Sequence, residues 1–396
     1  MNYCEAIDWL YSTQLFGIKL GLESPTRLLR DFLAFPPHTT KVIHVAGTNG
    51  KGSTCAMIDA LARDLGLRTG LFTSPHLIHY RERIRVSGRD IPEDKTAALL
   101  TEIQKLTADW DPHPTFFELT LAVAMRHFRD LKCDLIVLET GMGGRLDATT
   151  AVPADVCVLT PIAMDHAKWL GSTLAEIAEE KAEIALTGKP LISTKQDPEA
   201  ELVIKRVANQ KQAPLEFITE PLLGYSLGLA GEHQRYNASL ACEAMTAAGY
   251  YLSYDVVQHA LCYVQWPGRF ERVGENLILD AAHNPHAAHA LVQTFQAEFP
   301  NKKAGIIFGA VEDKDTTEVL RILEPIASHF HFVPVNSPRG IPPGNHQTGL
   351  KFTLHDSVQS ALDATSDTLT LLTGSLFLLG ETKGIFEKQE TRPMSQ

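Results

Sequence analysis

Basic residues are in deficit: 36 Lys and Arg stand against 47 Asp and Glu, a formal charge of −11 over 396 residues. Non-specific nucleic-acid binding depends on cations that displace phosphate counterions, so no nucleic-acid partner is expected. An anionic small molecule stays compatible, because a local basic pocket can sit in an acidic protein. Long apolar runs are missing too. The most apolar late stretch, Leu369 to Leu379, is interrupted by Thr370, Thr373, Gly374 and Ser375. It falls far short of the ~20 residues that span a bilayer, so no membrane partner is expected. The segment Met1-Asn2-Tyr3-Cys4-Glu5 lacks the basic-then-apolar order of a signal peptide. Cysteine is sparse, at positions 4, 55, 133, 157, 242 and 262, with no Cys-x-x-Cys pair. That usage reads as reduced, mostly buried thiols in a cytoplasmic chain. A monomer is the expected state.

What is present is ordinary globular material, 44% hydrophobic and 21% charged, in a chain too long for one core. Short apolar runs at Lys41–Val45, Thr69–Thr73, Asp134–Glu139, Val156–Ile162 and Pro190–Ser193 read as buried strands. Between them Ser53–Leu65, Phe117–Leu131 and Thr173–Leu186 carry helical spacing, and the alternation predicts βαβ units with a mainly parallel sheet. From Thr194 to about Gly231 the pattern is polar and irregular, and a helix is expected over Tyr236–Ala248. The Pro-Gly break in Trp266-Pro267-Gly268-Arg269 is the expected boundary between domains 1–266 and 267–396. Beyond it strands are expected at Asn276–Asp280, Ala304–Phe308, Phe330–Val335 and Leu369–Thr373, with helices at His286–Phe299 and Thr316–Ser328. The fold class is therefore α/β: a large P-loop-type domain with a mainly parallel sheet, plus a smaller C-terminal α/β domain. The polar tail 388–396 is expected to be disordered.

Chemistry concentrates first at Gly47-Thr48-Asn49-Gly50-Lys51-Gly52-Ser53, between an apolar strand and a helix. Glycines there let the backbone approach phosphates, and a helix N-terminus adds partial positive charge. Lys51 would reach the outer phosphates of ATP, and the Ser53 hydroxyl a Mg²⁺ ion. The match to Gly-x-x-x-x-Gly-Lys-[Ser/Thr] is imperfect. Val45 stands at the first glycine position, and Gly52 separates Lys51 from the hydroxyl. A glycine-rich strand–helix turn without any ligand has the same local signature, so the loop alone supports nucleotide binding and no more.

A second group of polar clusters follows other strands: Thr73-Ser74-Pro75-His76, then Glu139 before Gly141-Met142-Gly143-Gly144-Arg145, then Asp165-His166. Ligands in open α/β sheets lie beyond the carboxyl ends of strands, so these clusters share one rim with the loop. Oxygen atoms of Ser and Glu suit Mg²⁺, and an imidazole suggests a second, more open metal position. Each cluster alone has a structural explanation; their joint placement is what points to a site.

These segments, taken in order with Ile177-Ala178-Glu179-Glu180-Lys181-Ala182, Gly231-Glu232-His233-Gln234 with Asn237, Trp266-Pro267-Gly268-Arg269-Phe270 and Asp280-Ala281-Ala282-His283-Asn284-Pro285-His286, resemble the folylpolyglutamate synthase/dihydrofolate synthase family of the Mur ligase superfamily. The resemblance runs from about Ile18 to Gly380. It implies that Gly47 to Ser53 hold the ATP phosphates, with Lys51 central. It implies two Mg²⁺ ions on Ser74, Glu139, His166 and Lys181, with Ser53 near the nucleotide-bound ion and Lys181 carried as a carbamate. By its acidic neighbours alone, Lys181 reads as a surface ion-pairing residue. The resemblance further implies nucleotide contacts from Asn237, Arg269 and Asp280, glutamate contacts from His283 and Ser375, and a pterin pocket of Leu22, Phe117 and Glu118. The catalytic group would be Lys51, His166, Lys181, Arg269 and His283. Two positions depart from the family pattern. Thr150 replaces an asparagine, and Glu183 replaces a glycine, adding negative charge near the carbamate position.

The implied reaction is ATP-dependent ligation of L-glutamate to dihydropteroate, to the glutamate tail of folates, or to both, through an acyl phosphate. Another amino-acid ligase of the superfamily is the near alternative, although the segment before the loop is short for the extra precursor-binding domain of such enzymes. A non-catalytic nucleotide-binding regulator is the alternative from a different class.

Overall fold

The structure is a computed structural model that describes residues 1–16, 21–312, 314–346 and 348–388. The tail expected to be disordered thus lies, apart from Lys388, outside the described residues, as does Ile18.

The first sheet has eight strands: β1 (Lys41–Ala46), β2 (Thr69–Phe72), β3 (Ile84–Val86), β4 (Arg89–Asp90), β5 (Leu135–Glu139), β6 (Val156–Leu159), β7 (Leu191–Thr194) and β8 (Leu215–Ile218), in the order β4-β3-β2-β5-β1-β6-β7-β8. All pair in parallel except β3, which runs antiparallel to β2 and β4. Strand β1 lies between β5 and β6, where Val45 registers with both Glu139 and Val158. Its side chains alternate between two cores: Val42 and Ala46 enter one, Ile43 and Val45 the other. Helix Phe116–Asp130 fills the first core and helices Lys51–Asp64 and Glu232–Ala247 the second. A strand covered on both faces needs apolar residues on both, which explains the unbroken runs in the sequence.

The second sheet has six strands: β9 (Glu271–Val273), β10 (Leu277–Leu279), β11 (Ala304–Phe308), β12 (Ala327–Phe332), β13 (Phe352–Leu354) and β14 (Thr370–Thr373), in the order β13-β12-β11-β14-β10-β9. Only β9 is antiparallel. Helices Pro285–Glu298 and Thr316–Leu323 cover one face, Val358–Thr365 and Leu376–Glu387 the other. No described helix is long and apolar enough to cross a membrane.

Three expectations are corrected. The stretch expected to be irregular after Thr194 holds helix Pro198–Gln210 and strand β8. Asp197 caps that helix with Pro198 in its first turn, and only Ala200, Ile204, Val207 and Ala208 are buried, so its polar face masks the pattern. The helix expected to run from Thr316 to Ser328 stops at Leu323, passes through a 3-10 turn at Glu324–Ile326, and gives way to β12 at Ala327. Pro325 in that turn has no amide proton to continue the helix. Strand β6 ends at Leu159, two residues before Pro161.

Candidate active site

The carboxyl ends of β1, β2, β5 and β6 open on one rim, and those of β10, β11 and β14 face it across a cleft. The cleft gathers Gly47 to Ser53, Ser74, Glu139, His166, Lys181, Asn237, Arg269, Asp280, His283 and Ser375. Leu22, Phe117 and Glu118 are not among its lining residues.

Gly47 (φ +146°) and Gly50 (φ +88°) take conformations that L side chains rarely adopt, and they turn β1 into helix Lys51–Asp64. Asn237 lies against Gly50, and the Trp266 indole nitrogen against Gly52, so a Cβ on either glycine would meet an atom 2.7 Å away. The amides of Thr48 and Asn49 both donate to the Pro161 carbonyl, at 2.9 and 3.2 Å. These two amides are therefore already paired within the protein, and the helix starts at Lys51 just beyond them. Lys51 Nζ donates to the carbonyls of Gly47 (3.0 Å) and Thr48 (3.2 Å).

Glu139 ends β5 in a buried position and accepts the Ser74 amide at 3.0 Å. Burial pushes its carboxyl up, against Lys51, the Ser74 amide and Arg269, which pull it down. Beside it the Ser74 hydroxyl is buried without a hydrogen-bond partner. An orphaned hydroxyl next to a buried carboxylate is a donor set suited to a hard divalent cation. Among the described residues no group of three or more His, Cys, Asp and Glu is placed to hold a metal. A metal here would therefore take mixed donors. His166 has φ +52°, and burial lowers its imidazole to about 3, which favours the uncharged ring.

Lys181 is 4% exposed and donates to the Gly47 carbonyl at 2.9 Å, the same oxygen that Lys51 holds. Burial, and then the charge of Lys51, lower its ammonium to about 7. The surface ion-pair reading of this lysine is thus corrected. Glu183 is turned away and paired with Lys211 at 2.6 Å. Thr150 Oγ1 donates to the Gly144 carbonyl at 2.7 Å, and Gly144 lies so close to helix Leu174–Ala182 that a Cβ would come 2.6 Å from the Glu180 carbonyl. Neither departure from the family pattern disturbs the cleft.

From the second sheet, Asp280 follows β10 and accepts the amides of Phe270 and Ala282, both at 2.9 Å. Burial raises its carboxyl, opposed first by Arg269. His283 Nδ1 donates to the Ala281 carbonyl at 2.8 Å, leaving Nε2 3.5 Å from Asp165. Ser375 caps helix Leu376–Glu387 and accepts the Phe377 amide. His76, quoted above with Ser74, is buried elsewhere: it accepts from Arg83 Nε at 2.7 Å and meets the Tyr11 hydroxyl at 3.1 Å.

Phe117 stands over Gly141, where a Cβ would come 2.7 Å from its ring. Leu22 is half-buried at the start of helix Glu23–Asp31. Glu118 is buried and its carboxylate accepts the Thr115 amide at 2.6 Å, completing a capping box. Thr115→Ala should cost about 1 kcal/mol in denaturant unfolding. A loss of several kcal/mol would show that more than a cap depends on it.

Lys314 and Arg339 line the cleft and were missed. Lys314 sits in Glu312-Asp313-Lys314-Asp315, which reads as a solvated charge run, yet its side chain is 8% exposed and paired with Asp165. No sequence signal separates it from a surface lysine.

Residues 45–219 match the Mur ligase middle domain and residues 268–376 the Mur ligase glutamate ligase domain. The chain is 33% identical over 371 residues to a dihydrofolate synthase/folylpolyglutamate synthase of Bacillus subtilis, covering 85% of this chain and 86% of that protein. It is 36% identical over 352 residues to the Escherichia coli protein of the same name, covering 84% and 82%. Among solved structures, Escherichia coli FolC in complex with DHPP and ADP superposes with a TM-score of 0.87 at 32% identity, covering 97% of this chain and 98% of that one. A Yersinia pestis folylpolyglutamate synthase/dihydrofolate synthase complexed with AMPPNP and Mn ion gives 0.88 at 29% identity and 98% of both chains. The chain belongs to the folylpolyglutamate synthase/dihydrofolate synthase family of Mur ligases.

Proposed function

We propose that this enzyme, an ATP-dependent ligase, joins the amine of L-glutamate to the carboxylate of dihydropteroate, of the glutamate tail of folates, or of both. The observation that carries this reading is the facing of two rims across one cleft: Lys51, Ser74 and Glu139 on one side, Arg269, Asp280 and His283 on the other. Solved relatives are described with ADP, with AMPPNP and Mn, and with L-glutamate.

A carboxylate is a poor electrophile, so the γ-phosphoryl group of ATP is first transferred to it, giving an acyl phosphate and ADP. Lys51 and the amides of Gly50 to Ser53 bind the phosphates and stabilise the negative charge that spreads during transfer. Ser53, and Ser74, Glu139, His166 and Lys181, would hold divalent cations, which would supply further charge neutralisation. Lys181 joins that set as a carbamate: its neutral amine adds to CO₂ and releases a proton, which turns a buried base into an anionic oxygen ligand. A buried amine whose ammonium is lowered to about 7 supports this. Asn237, Arg269 and Asp280 orient the nucleotide. The glutamate amine then attacks the acyl carbon, a tetrahedral intermediate collapses, and phosphate leaves. His283 and Ser375 place the glutamate, and Phe117 with Leu22 bounds the pterin side, where Glu118 acts through the helix cap. Holding the reactants on opposite rims lets closure set their alignment.

The test is phosphate release with ATP, Mg²⁺ and glutamate, run separately with dihydropteroate and with tetrahydrofolate. Release with at least one acceptor is the expected result, and which acceptor works assigns the reaction. No release with either would favour the regulator reading.

A further inference from the structure

The cleft is bridged by hydrogen bonds that none of the steps above requires. Asn49, in the phosphate loop, and Asn284, at the N-cap of helix Pro285–Glu298, face each other as a reciprocal amide pair. Asn49 Nδ2 donates to Asn284 Oδ1 at 3.1 Å, and Asn284 Nδ2 donates back to Asn49 Oδ1 at 3.0 Å. The same Asn49 nitrogen lies 3.0 Å from His286 Nδ1. Asn284 Nδ2 also donates to Asp165 Oδ2 at 3.2 Å, and Asp165 Oδ1 is paired with Lys314 Nζ. His283 Nε2 stands 3.5 Å from the same carboxylate. Asn284 is 2% exposed, and the side chains of Asp165 and Lys314 are 6% and 8% exposed.

We infer that Asn49, Asn284, Asp165 and Lys314 form a latch that holds the nucleotide side and the glutamate side of the cleft closed, acting as positioning residues for the ligase reaction. Lys314, His283 and Asn284 all reach Asp165 from the second-sheet side. Partial opening would part a buried ion pair before water could reach either charge, which makes it unfavourable. A reciprocal amide pair requires both carboxamides in one orientation, so it adds direction to the closure. The latch also reaches the rim groups. The His166 amide donates to Asp165 Oδ1 at 2.8 Å, and Asn49 lies between the two glycines that shape the loop. Closure thus fixes the placing of His166 and of the phosphate loop together. This inference rests on the ligase reading for its consequence, but its geometry can be tested without turnover.

Asn284→Asp is the diagnostic change. Aspartate is as good an N-cap as asparagine, so the helix start survives. The two donors are lost, however, and a carboxylate is set against Asp165. The full chain, with Mg²⁺ and a non-hydrolysable ATP analogue, would be compared with wild type by small-angle X-ray scattering, analogue affinity, thermal midpoint and glutamate kinetics. The expected result is a larger radius of gyration, a KM for glutamate raised at least tenfold, and an analogue affinity lowered severalfold as Arg269 and Asp280 withdraw with the far rim. The double variant Asn284→Asp with Asp165→Asn removes the repulsion between the two carboxylates but also the Asp165 partner of Lys314, so it should move the scattering part of the way back toward wild type. A wild-type profile for Asn284→Asp would overturn the latch. So would an altered profile, with a lowered thermal midpoint, that the double variant does not recover, because that pattern marks a damaged helix start. The scattering result stands even if no ligation is found, so the two readings fail separately.

Discussion

Lys181→Met should lower ligation by about 10²–10³-fold while leaving the fold intact, because under the proposed reaction it removes the one group on this rim that would become an anionic oxygen ligand through carbamylation. Methionine fills the same buried space with no charge, so the loss reports chemistry and not packing. The chemistry depends on a deprotonated amine. Burial, and then the nearby Lys51 charge, bring the Lys181 ammonium from its ordinary 10.5 down to about 7. The neutral fraction therefore grows as pH rises through 7, and ¹³C-bicarbonate should give a carbamate carbonyl signal that is stronger at pH 8 than at pH 6 and missing from the methionine variant. Stability carries the same sign. The unfolded chain binds a proton at Lys181 that the folded, unmodified chain has given up between about 7 and 10.5. Stability of CO₂-depleted protein should therefore rise with pH across that window, and Lys181 should add no pH dependence below it. A methionine variant keeping more than a tenth of wild-type turnover would leave Lys181 as a structural amine bonded to the Gly47 carbonyl.

Lys181 also marks where sequence reasoning stops. Strands β1, β2, β5, β6 and β7 are legible because burial on both faces demands apolar runs, as in Leu135 to Leu138 before Glu139. The phosphate loop is legible because glycine is the residue that a sharp strand-to-helix turn demands. Helix Pro198–Gln210 was hidden by its wide polar face. Lys181 and Lys314 were hidden for a deeper reason: each sits among acidic neighbours in the chain, and only tertiary packing buries it. The role of Asn49 was equally out of reach. Its position in the loop suggests a phosphate contact, but its side chain is bonded to Asn284, 235 positions away. Local sequence reports the turn that a residue makes, whereas the partner across a cleft is set by how two sheets meet.

Gly47→Ala should be the most damaging single methyl group in the protein. Gly47 has φ +146°, and a Cβ there would overlap Thr160 Oγ1 and lie 2.9 Å from the Thr160 carbonyl oxygen. Thr160 cannot retreat easily: it follows β6, its amide donates to the Ala46 carbonyl at 2.9 Å, and its hydroxyl donates to that same oxygen at 3.2 Å. Backbone strain of about 1–3 kcal/mol adds to overpacking of similar size, so the cost is about 2–6 kcal/mol. That is a large part of the margin by which a domain is folded, and a first melting transition lowered by about 10 °C follows. Binding should suffer more than stability, since both Lys51 and Lys181 donate to the Gly47 carbonyl and would be displaced with it. ATP affinity, measured by calorimetry, should fall at least a hundredfold. Adding Thr160→Ala removes the hydroxyl overlap but neither the strained φ nor the close carbonyl, so it should recover part of the melting temperature and little of the affinity. Recovery of both together would mean that the hydroxyl clash alone set the damage, and that the orientation of the Gly47 carbonyl matters less than its two lysine donors indicate.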